Sequence, residues 1–265
     1  MADQRKRVLV TGGATGIGAA IVRACRAEGF SVVATDVDVD GLESLRAVLP
    51  GLETAHLDVS DLEGWERVVR EGEAAGGPID VLINNAGVCS PGRSDRVSAS
   101  DDRRTVEVNL MGVLHGVRTI LPRFLERESG HVINIASMAA FAPAPDLAAY
   151  CATKHAVRAY THSCAIDHRH SAIHWTLACP SAVETPMLQS MREKRAGVVV
   201  FTETPMPPEA FAKEIIAVIH KPRRELLVPA LRGKLIRFFG LFPGLIARGM
   251  DGAEQRGRAA LDRTD

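Results

Sequence analysis

The stretch TGGATGIG, Thr11–Gly18, separates a short apolar run at 7–11 from a helical pattern at 17–28. The apolar run is β-branched and is ended by glycine, which predicts a buried strand. Bare glycine backbone lets a pyrophosphate approach closely, and the first turn of the following helix offers free N–H groups and a partial positive charge. A glycine triplet between a strand and a helix is typical of a dinucleotide-binding turn.

A second apolar run at 31–35 ends in Asp36, 20 residues after Gly16. This is the position of the acidic residue that binds adenosine ribose hydroxyls in such turns. A carboxylate there accepts hydrogen bonds from the diol and repels a 2′-phosphate, and the glycine turn contains no Arg or Lys. We therefore expect NAD rather than NADP. The alternative interpretation is a loop aspartate beside Asp38 and Asp40.

Strands and helices alternate along the rest of the chain. Apolar runs predict further strands at 53–57, 79–83, 131–136, 173–178 and 226–228. Helical patterns occupy 41–49, 61–75, 103–127, 148–169 and 209–219, with Asp61 as an N-cap. This alternation predicts a single-domain α/β Rossmann fold, a doubly wound parallel sheet of about seven strands with helices on both faces.

The composition excludes several classes of protein. The 265 residues carry 32 basic and 32 acidic side chains, so no net charge draws the chain to nucleic acid. Five scattered cysteines without CxxC spacing favour reduced thiols in the cytoplasm over disulfides. His168 and His170 have no third ligand nearby, so we predict no metal site. The N-terminal apolar run is too short for a signal peptide, and no run approaches the roughly 18 to 20 apolar residues of a membrane span.

Several polar residues occupy positions that suggest chemistry. The sequence Asn84-Asn85-Ala86-Gly87 follows a predicted strand, where parallel sheets bind ligands, although an Asn-rich turn is the alternative. Asn109 interrupts a predicted helix, which indicates a kink, a functional group or simply an exposed Asn. Tyr150 and Lys154 share one helix face, and an ammonium near a phenol lowers the phenol pKa. A half-exposed helix face is the alternative for this pair.

These stretches together resemble the short-chain dehydrogenase/reductase family over roughly residues 5–230. The matching motifs, in family order, are TGGATGIG (Thr11–Gly18), Asp36, Asp58-Val59, NNAG (Asn84–Gly87), Asn109, Ser137, YCATK (Tyr150–Lys154) and the PSAVETPM stretch from Pro180. Ser137 precedes Tyr150 by 13 residues, a spacing that fits the family.

The resemblance implies an NAD-dependent oxidoreductase with the catalytic residues Asn109, Ser137, Tyr150 and Lys154. Tyr150 would be the general acid/base, and Ser137 would hydrogen-bond the reacting oxygen. Lys154 would bind the nicotinamide ribose and lower the pKa of Tyr150. Asn109, through the broken helix around it, would hold a water in a proton relay.

The resemblance also implies a set of cofactor contacts, which includes Tyr150 and Lys154. The other members are Gly12, Thr15, Gly16, Ile17 and Gly18 around the pyrophosphate, Asp36 at the adenosine ribose, Asp58 and Val59 at the adenine, Asn85, Ala86 and Gly87 in the central crevice, and Pro180, Val183 and Thr185 at the nicotinamide. Two residues depart from the family pattern. Ser181 stands where glycine is usual, and would be strained if the backbone there needed a positive φ. His155 stands where a small residue is usual, and we expect it on an outer helix face.

Two regions carry the prediction about the substrate. Residues 181–208 lack a predicted strand, contain a short helix near Thr185 and the apolar run Val198–Phe201, and are interpreted as a substrate loop. The C-terminal extension, 231–265, follows a main domain at 1–230. Beyond Asp251 it is polar, and we expect it to be frayed.

Residues 231–248 of the extension contain four basic residues and no acidic one. Five apolar residues fall on one helical face, and Pro243-Gly244 breaks the run. These five are Leu231, Leu235, Phe238, Phe239 and Phe242. Three interpretations stay open: packing on the domain or a partner subunit, a wall or lid of an apolar pocket, and a basic amphipathic helix on a membrane surface.

The predicted function is hydride transfer between NAD(H) and a secondary alcohol or ketone. The apolar runs favour an apolar substrate, such as a steroid, retinoid or terpenoid. The alternative is an inactive dinucleotide-binding regulator or scaffold. The resemblance to the family implies a homodimer or homotetramer formed through the helices at 103–127 and 148–169. We expect a cytoplasmic protein, with peripheral membrane contact as one alternative for the extension.

Overall fold

The structure is a computed structural model that describes residues 6–263. Its centre is one sheet of seven parallel strands in the order β3-β2-β1-β4-β5-β6-β7. In chain order the strands are β1 Arg7–Thr11, β2 Ser31–Asp36, β3 Glu53–His56, β4 Val81–Asn84, β5 Gly130–Ile135, β6 Ile173–Pro180 and β7 Glu225–Val228. The predicted doubly wound sheet is confirmed, and the seven predicted strands each lie within two or three residues of an observed one.

Helices connect the strands and cover both faces of the sheet. They are α1 Gly16–Ala27, α2 Val39–Val48, α3 Leu62–Gly76, α4 Ala99–Val106, α5 Gly112–Glu126, α6 Ala148–Asp167, α7 Pro186–Glu193, α8 Pro208–His220, α9 Ala230–Phe239 and α10 Pro243–Leu261. Helices α1, α2 and α8 pack on one face of the sheet, and α3, α5 and α6 on the other.

The strand order determines where a ligand can bind. Strand β1 pairs with β2 on one side and with β4 on the other, so the chain winds in opposite directions from this point. Connections that leave in opposite directions open a crevice at the carboxyl ends of the two strands. The glycine turn follows β1, and Asn85 follows β4, so both lie at this crevice.

The predicted helix at 103–127 is wrong as a single element. It begins earlier, at Ala99, because Ser98 caps it by accepting a hydrogen bond from the Asp101 amide at 3.1 Å. It is then interrupted by a π-helical turn at Glu107–Met111, whose centre is Asn109. The predicted interruption at Asn109 is therefore a local change from α-helix to π-helix. It lies in the middle of the segment that connects β4 to β5.

The prediction that the chain frays beyond Asp251 is also wrong. Helix α10 continues to Leu261, which is 2% exposed and packs in a core with Val198. A Cβ added to Gly257 would lie 2.1 Å from the carbonyl oxygen of Val198, so helix and loop are in close contact. An ion pair between Asp262 and Arg195 continues the contact. The C-terminal helix is thus held against the substrate loop.

The substrate loop at 181–208 is ordered around two short elements. These are α7 and a 3₁₀ turn at Val198–Thr202, and an isolated parallel bridge joins Val183 to Met206. Asp146 has a φ of 62° and accepts a hydrogen bond from the Gly197 amide at 3.1 Å. The loop is therefore tied to the segment that leads into α6.

Candidate active site

The glycine turn adopts a backbone that only glycine fits well at two positions. Gly12 and Gly16 have φ values of 63° and 53°. A Cβ on Gly12 would lie 2.8 Å from the Cα of Ala86, and one on Gly18 would lie 1.8 Å from the carbonyl oxygen of Gly12. The turn is therefore packed directly on the end of β4 and on the start of α1.

The N-terminus of α1 is free to receive an anion. Thr15, its N-cap residue, is extended and makes no capping hydrogen bond with its side chain, and the first turn holds no acidic residue. Ile17, in that turn, lines the same cavity as Gly12 and Thr15. Unpaired amides at a helix N-terminus suit a pyrophosphate, so the residues present fit a dinucleotide.

Asp36 lies at the carboxyl end of β2 and faces the glycine turn. Its Oδ2 accepts a hydrogen bond from the Ala14 amide at 3.0 Å, and its Oδ1 accepts one from the Asp38 amide at 3.1 Å. The side chain lines the cavity. The carboxylate thus holds the turn in shape, and each of its oxygens keeps a lone pair that a ribose diol could use.

Asp58 and Val59 lie beyond β3, at the same end of the cavity as Asp36. The Asp58 carboxylate accepts hydrogen bonds from the amide and the hydroxyl of Ser60. Val59 is buried, and its carbonyl accepts a hydrogen bond from the Trp65 indole at 3.0 Å. The loop that would flank an adenine is therefore fixed by contacts within the protein.

Asn85 binds protein backbone and holds the two loops together. Its Nδ2 donates to the carbonyls of Thr11 and Gly12, at 2.9 and 3.1 Å. The Thr11 hydroxyl in turn accepts from the amides of Asn85 and Ala86. Ala86 and Gly87 then line the middle of the cavity.

Asn109 is fully buried, and its side chain is bonded to the loop after β4. Its Oδ1 accepts from the Val88 amide at 2.7 Å, and its Nδ2 donates to the Val88 carbonyl at 2.8 Å and to the Thr153 hydroxyl. A Cβ on Gly87 would lie 3.3 Å from Asn109 Oδ1 and 3.7 Å from Lys154 Nζ. Asn109 therefore lies near Lys154 and fixes the loop at Val88 in place.

Ser137, Tyr150 and Lys154 line the same cavity. Ser137 follows β5 and accepts a hydrogen bond from the Ala139 amide at 3.1 Å. Lys154 Nζ donates to the carbonyl of Ile135 at 3.0 Å and lies 5.5 Å from the centre of the Tyr150 ring. The helical spacing of the pair and the end of β5 bring a hydroxyl, a phenol and an ammonium together.

Burial dominates the electrostatics of this group. It raises the pKa of the Tyr150 phenol well above its ordinary value, and a hydrogen bond with Ser137 partly opposes that shift. Burial also lowers the pKa of Lys154 to about 8. The predicted lowering of the Tyr150 pKa by Lys154 is therefore not seen in the protein without cofactor, and the lysine is mostly charged at neutral pH.

Residues at the end of β6 and just after it complete the lining of the cavity. Pro180 and Val183 are buried, and Thr185 caps α7 by accepting from the Leu188 amide at 3.3 Å. A Cβ on Gly16 would lie 3.1 Å from Thr185 Cγ2, so the substrate loop begins against the glycine turn. Ser181 is not among the described residues with positive φ, so the serine at this position is not strained. His155 is exposed, as expected.

One cavity of about 880 Å³ is lined by the predicted site residues, except for Gly18 and Asn109, which do not line it. The part beyond Tyr150 is mostly apolar. Val199 and Val200 belong to the apolar run of the predicted substrate loop, and Arg232 and Ile236 to the stretch for which a pocket wall was one interpretation. Other lining residues were not predicted individually, and they include Cys89, Ala144, Leu147, Met187, Met191, Thr202, Met250 and Ala253. Of the apolar run in the substrate loop, Val199 and Val200 face the cavity, whereas Val198 and Phe201 are buried in the core.

The extension contributes to the wall of this cavity. Ile236 of α9 lines it, as do Met250 and Ala253 of α10. The wall of an apolar pocket was one of the three interpretations of residues 231–248, and Ile236 agrees with it, whereas nothing in the sequence identifies Met250 and Ala253. Between Lys6 and Arg263, no three His, Cys, Asp or Glu side chains gather as metal ligands would.

A family model described as short chain dehydrogenase matches residues 6–196. A 3-alpha-(or 20-beta)-hydroxysteroid dehydrogenase of Mycobacterium bovis is 37% identical over 183 residues, which are 69% of this chain and 70% of that protein. Oxidoreductase UcpA of Salmonella typhimurium is 30% identical over 238 residues, 88% of this chain and 86% of that one.

Solved structures of similar shape contain either nicotinamide cofactor. A short-chain dehydrogenase/reductase from Burkholderia phymatum in complex with NAD has a TM-score of 0.79 and 27% identity, and the match covers 88% of this chain and 92% of that one. An alcohol dehydrogenase from Thermococcus sibiricus complexed with 5-hydroxy-NADP has a TM-score of 0.74 and 25% identity, with 84% and 96% covered.

Proposed function

The chain belongs to the short-chain dehydrogenase family and is an oxidoreductase, and from this premise we propose that it transfers hydride between NAD(H) and an apolar secondary alcohol or ketone. The observation that carries the proposal is the single cavity that runs from the glycine turn to Ser137, Tyr150 and Lys154. A dinucleotide held at one end and an alcohol held at the other would meet at Tyr150.

The protein would hold the cofactor with residues of the crevice. The free amides of α1 suit the pyrophosphate, Asp36 suits the adenosine ribose, and Lys154 lies deep enough to reach the nicotinamide ribose. When bound, the nicotinamide accepts or donates the hydride. Val183 and Thr185 would form the wall behind it.

Tyr150 moves the proton in this proposal. The phenol is protonated at neutral pH, as an ordinary tyrosine is, and burial strengthens this state, so it is ready to donate to a ketone oxygen during reduction. Ser137, which partly opposes the rise in the pKa of the phenol, would donate to the same substrate oxygen and stabilise negative charge as it develops. For oxidation the phenol must first lose its proton, which the Lys154 ammonium favours.

Asn109 would support the exchange of that proton with solvent. The π-helical turn changes the path of the helix at Asn109, and Gly87 lies beside both Asn109 and Lys154. Since glycine leaves this space without a side chain, a water between the two residues is the proposed relay. The side chain of Asn109 keeps the loop at Val88 in place around it.

The preference for NAD rests on Asp36. Its carboxylate is bonded to the glycine turn and lines the cavity, so a 2′-phosphate there would meet a fixed negative charge. Among the similar structures, the one from Burkholderia phymatum contains NAD and the one from Thermococcus sibiricus an NADP derivative. Titration with both cofactors tests the proposal, and equal or tighter binding of NADP would refute it.

The proposed substrate is steroid-like, with a retinoid or terpenoid alcohol as the alternative. The mostly apolar cavity beyond Tyr150 supports this, as does the similarity to a hydroxysteroid dehydrogenase. The test is a panel of apolar alcohols with NAD, followed by NADH absorbance. An inactive regulator would bind NAD and reduce none of it with any member of the panel.

We also propose a homodimer or homotetramer in the cytoplasm. The proposed oligomer rests on membership of this family. The proposed compartment rests on the five free cysteines, three of which are buried. Burial raises the pKa of Cys25, Cys89 and Cys179 to about 12, which keeps these thiols protonated and suits a reducing environment. Sedimentation or light scattering would measure the oligomer.

A further inference from the structure

The outer surface of the extension is apolar to an unusual degree. Seven large apolar side chains of α9, of α10 and of the turn between them are 44% to 73% exposed, and we call them the tail face. They are Leu231, Leu235, Phe238, Phe239, Leu241, Phe242 and Leu245. The Phe238 ring contacts those of Phe239 and Phe242, at centroid distances of 5.7 and 5.5 Å. A contiguous exposed patch of this kind marks an interaction site.

The predicted apolar face of residues 231–242 is thus real, but it faces outward. The residues that face the domain are Gly233, where a Cβ would lie 2.6 Å from the Leu227 side chain, and Ile236, which lines the cavity. No helix among the described residues could cross a bilayer.

The charge around the tail face is positive. Residues 230–250 contain Arg232, Lys234, Arg237 and Arg248 and no acidic residue. Arg232 and Arg237 form ion pairs with Glu203 and Glu225. Lys234 and Arg248 are exposed, and neither has an ion pair with another described residue. Apolar side chains flanked by unpaired cations are the composition of a helix that lies on an anionic lipid surface.

A groove shares lining residues with both the tail face and the catalytic cavity. It has a volume of about 410 Å³ and runs between α9 and the first turn of α10. Leu231, Leu235 and Phe239 of the tail face line it. Ala142, Arg232 and Ile236 line both the groove and the cavity, so the two spaces share one wall.

We infer that the tail face docks on the surface of an anionic lipid bilayer. The groove then opens where the lipid chains begin, and an apolar substrate can pass from the bilayer toward Tyr150; this last step rests on the proposed function. A second copy of the chain is the less favoured occupant. In a symmetric dimer the same patch meets itself, so the unpaired cations Lys234 and Arg248 would be brought close to those of the other copy.

Vesicle sedimentation tests the docking without substrate or cofactor. The full chain is mixed with vesicles of phosphatidylcholine alone or with about a third phosphatidylserine. We expect the protein to pellet with the anionic vesicles, and less so as salt is raised. The double variant Lys234→Glu/Arg248→Glu should bind at least about 30-fold more weakly, since each basic residue near such a surface contributes roughly a factor of five. The double variant Phe238→Ser/Leu241→Ser should also lose at least about tenfold.

Two matched controls separate the tail face from general effects. Lys213→Glu/Lys221→Glu makes the same charge change on α8 and just after it, and Val48→Ser/Ile166→Ser removes exposed apolar side chains elsewhere. Both controls should sediment like the wild type, and circular dichroism checks that every variant is folded.

Either of two results overturns the inference. The wild type could stay in the supernatant with both vesicles, or light scattering could show a dimer that Phe238→Ser/Leu241→Ser dissociates. Failure of the alcohol panel would leave vesicle binding unchanged, so the proposed activity and the docking surface fail separately.

Discussion

The Lys154 ammonium lies 5.5 Å from the centre of the Tyr150 ring and donates its hydrogen bond to the Ile135 carbonyl. The two groups are close enough to interact. Burial raises the pKa of Tyr150 and lowers that of Lys154, so it favours the neutral form of each group. In the protein without cofactor, the pair therefore holds a protonated phenol beside an ammonium that titrates near pH 8. Proton transfer from Tyr150 and the charge of Lys154 can be tested independently.

Replacing Tyr150 by Phe should abolish turnover and leave cofactor binding nearly intact. The phenol hydroxyl is the proposed proton donor, and general acid catalysis contributes about 10²- to 10⁴-fold. We expect kcat to fall by about 10³-fold or more, with NAD affinity within about twofold, measured by NADH absorbance and by calorimetric titration. Tyr160→Phe is the matched control, because Tyr160 is the other tyrosine of the same helix and lies outside the cavity lining. Turnover that survives in Tyr150→Phe would rule out the assignment.

Replacing Lys154 by Met should stabilise the fold while it impairs turnover. The pKa of Lys154 falls from its ordinary 10.5 to about 8 because the ammonium is buried. Below pH 8 the lysine is protonated in the folded and unfolded states, so the full cost of burying the charge is present, about 3 kcal/mol. Between pH 8 and 10.5 the folded state loses the proton first, and this cost shrinks as pH rises.

Urea unfolding at pH 7 and pH 9.5 measures this difference. At pH 7 the variant should be more stable than the wild type by about 1 to 3 kcal/mol, because the lost hydrogen bond to Ile135 offsets part of the gain. The advantage should be smaller at pH 9.5. Lys213→Met, at an exposed position, should show neither effect. An advantage that grows with pH would contradict the assigned direction of the Lys154 pKa shift.

The parts of the site that sequence could predict are those set by local chemistry. Gly12 and Gly16 are recognisable because their backbone needs a positive φ, and Tyr150 and Lys154 because helix geometry alone puts them on one face. The interruption at Asn109 was also predictable, since Asn is a poor residue for the middle of a helix. Its cause, two hydrogen bonds to the Val88 backbone, depends on contacts distant in sequence.

The extension shows where such reasoning fails. Its last residues are polar, which favoured a frayed end. In the structure, Gly257 allows close contact with the Val198 carbonyl, and Leu261 alone fills a place in the core. The close contact at Gly257, the buried Leu261 and the ion pair between Asp262 and Arg195 hold the helix, and none of these residues differs in sequence from those of a disordered tail.

Replacing Asp36 by Ser should shift the cofactor preference toward NADP. The variant removes the charge that would repel a 2′-phosphate and one acceptor of a ribose hydrogen bond. We expect the ratio of NAD to NADP affinity to fall by at least about tenfold, since hydrogen bonds to charged groups are worth roughly 1.5 to 3 kcal/mol. Asp38→Asn is the control, because Asp38 caps α2 from outside the cavity lining. An unchanged ratio would assign Asp36 only to the shape of the glycine turn.

Asp146 should control the order of the substrate loop. Its backbone has a φ of 62°, its carboxylate accepts from the Gly197 amide, and its carbonyl accepts from the Gly92 amide at 2.8 Å. Asp146→Ala loses the carboxylate and is strained at this φ, so we expect a loss of about 1 to 3 kcal/mol in urea unfolding. Asp146→Asn tolerates the φ and keeps an acceptor, so it should lose less than half as much. Equal losses would show that the carboxylate charge, and not geometry, is what matters.

Replacing Gly257 by Ala should release the last helix from the substrate loop. The added methyl group would lie 2.1 Å from the Val198 carbonyl oxygen, so α10 must move outward and the ion pair between Arg195 and Asp262 must loosen. Gly252→Ala is the matched control on the same helix, because the only atom within 4 Å of its added methyl is Nη1 of Arg256, at 3.5 Å. There the change should stabilise the helix by about 0.5 to 1 kcal/mol.

Limited trypsin digestion measures how easily the substrate loop opens, and it needs no substrate. The cleavage sites are Arg192, Lys194 and Arg195, in α7 and just after it. Cleavage after these residues should be several times faster in Gly257→Ala than in the wild type, and slower or unchanged in Gly252→Ala. With an active alcohol, Gly257→Ala should raise KM more than it lowers kcat, since Met250 and Ala253 of α10 line the cavity while Tyr150 lies on α6. Identical digestion of all three proteins would mean that the loop keeps its order without the last helix.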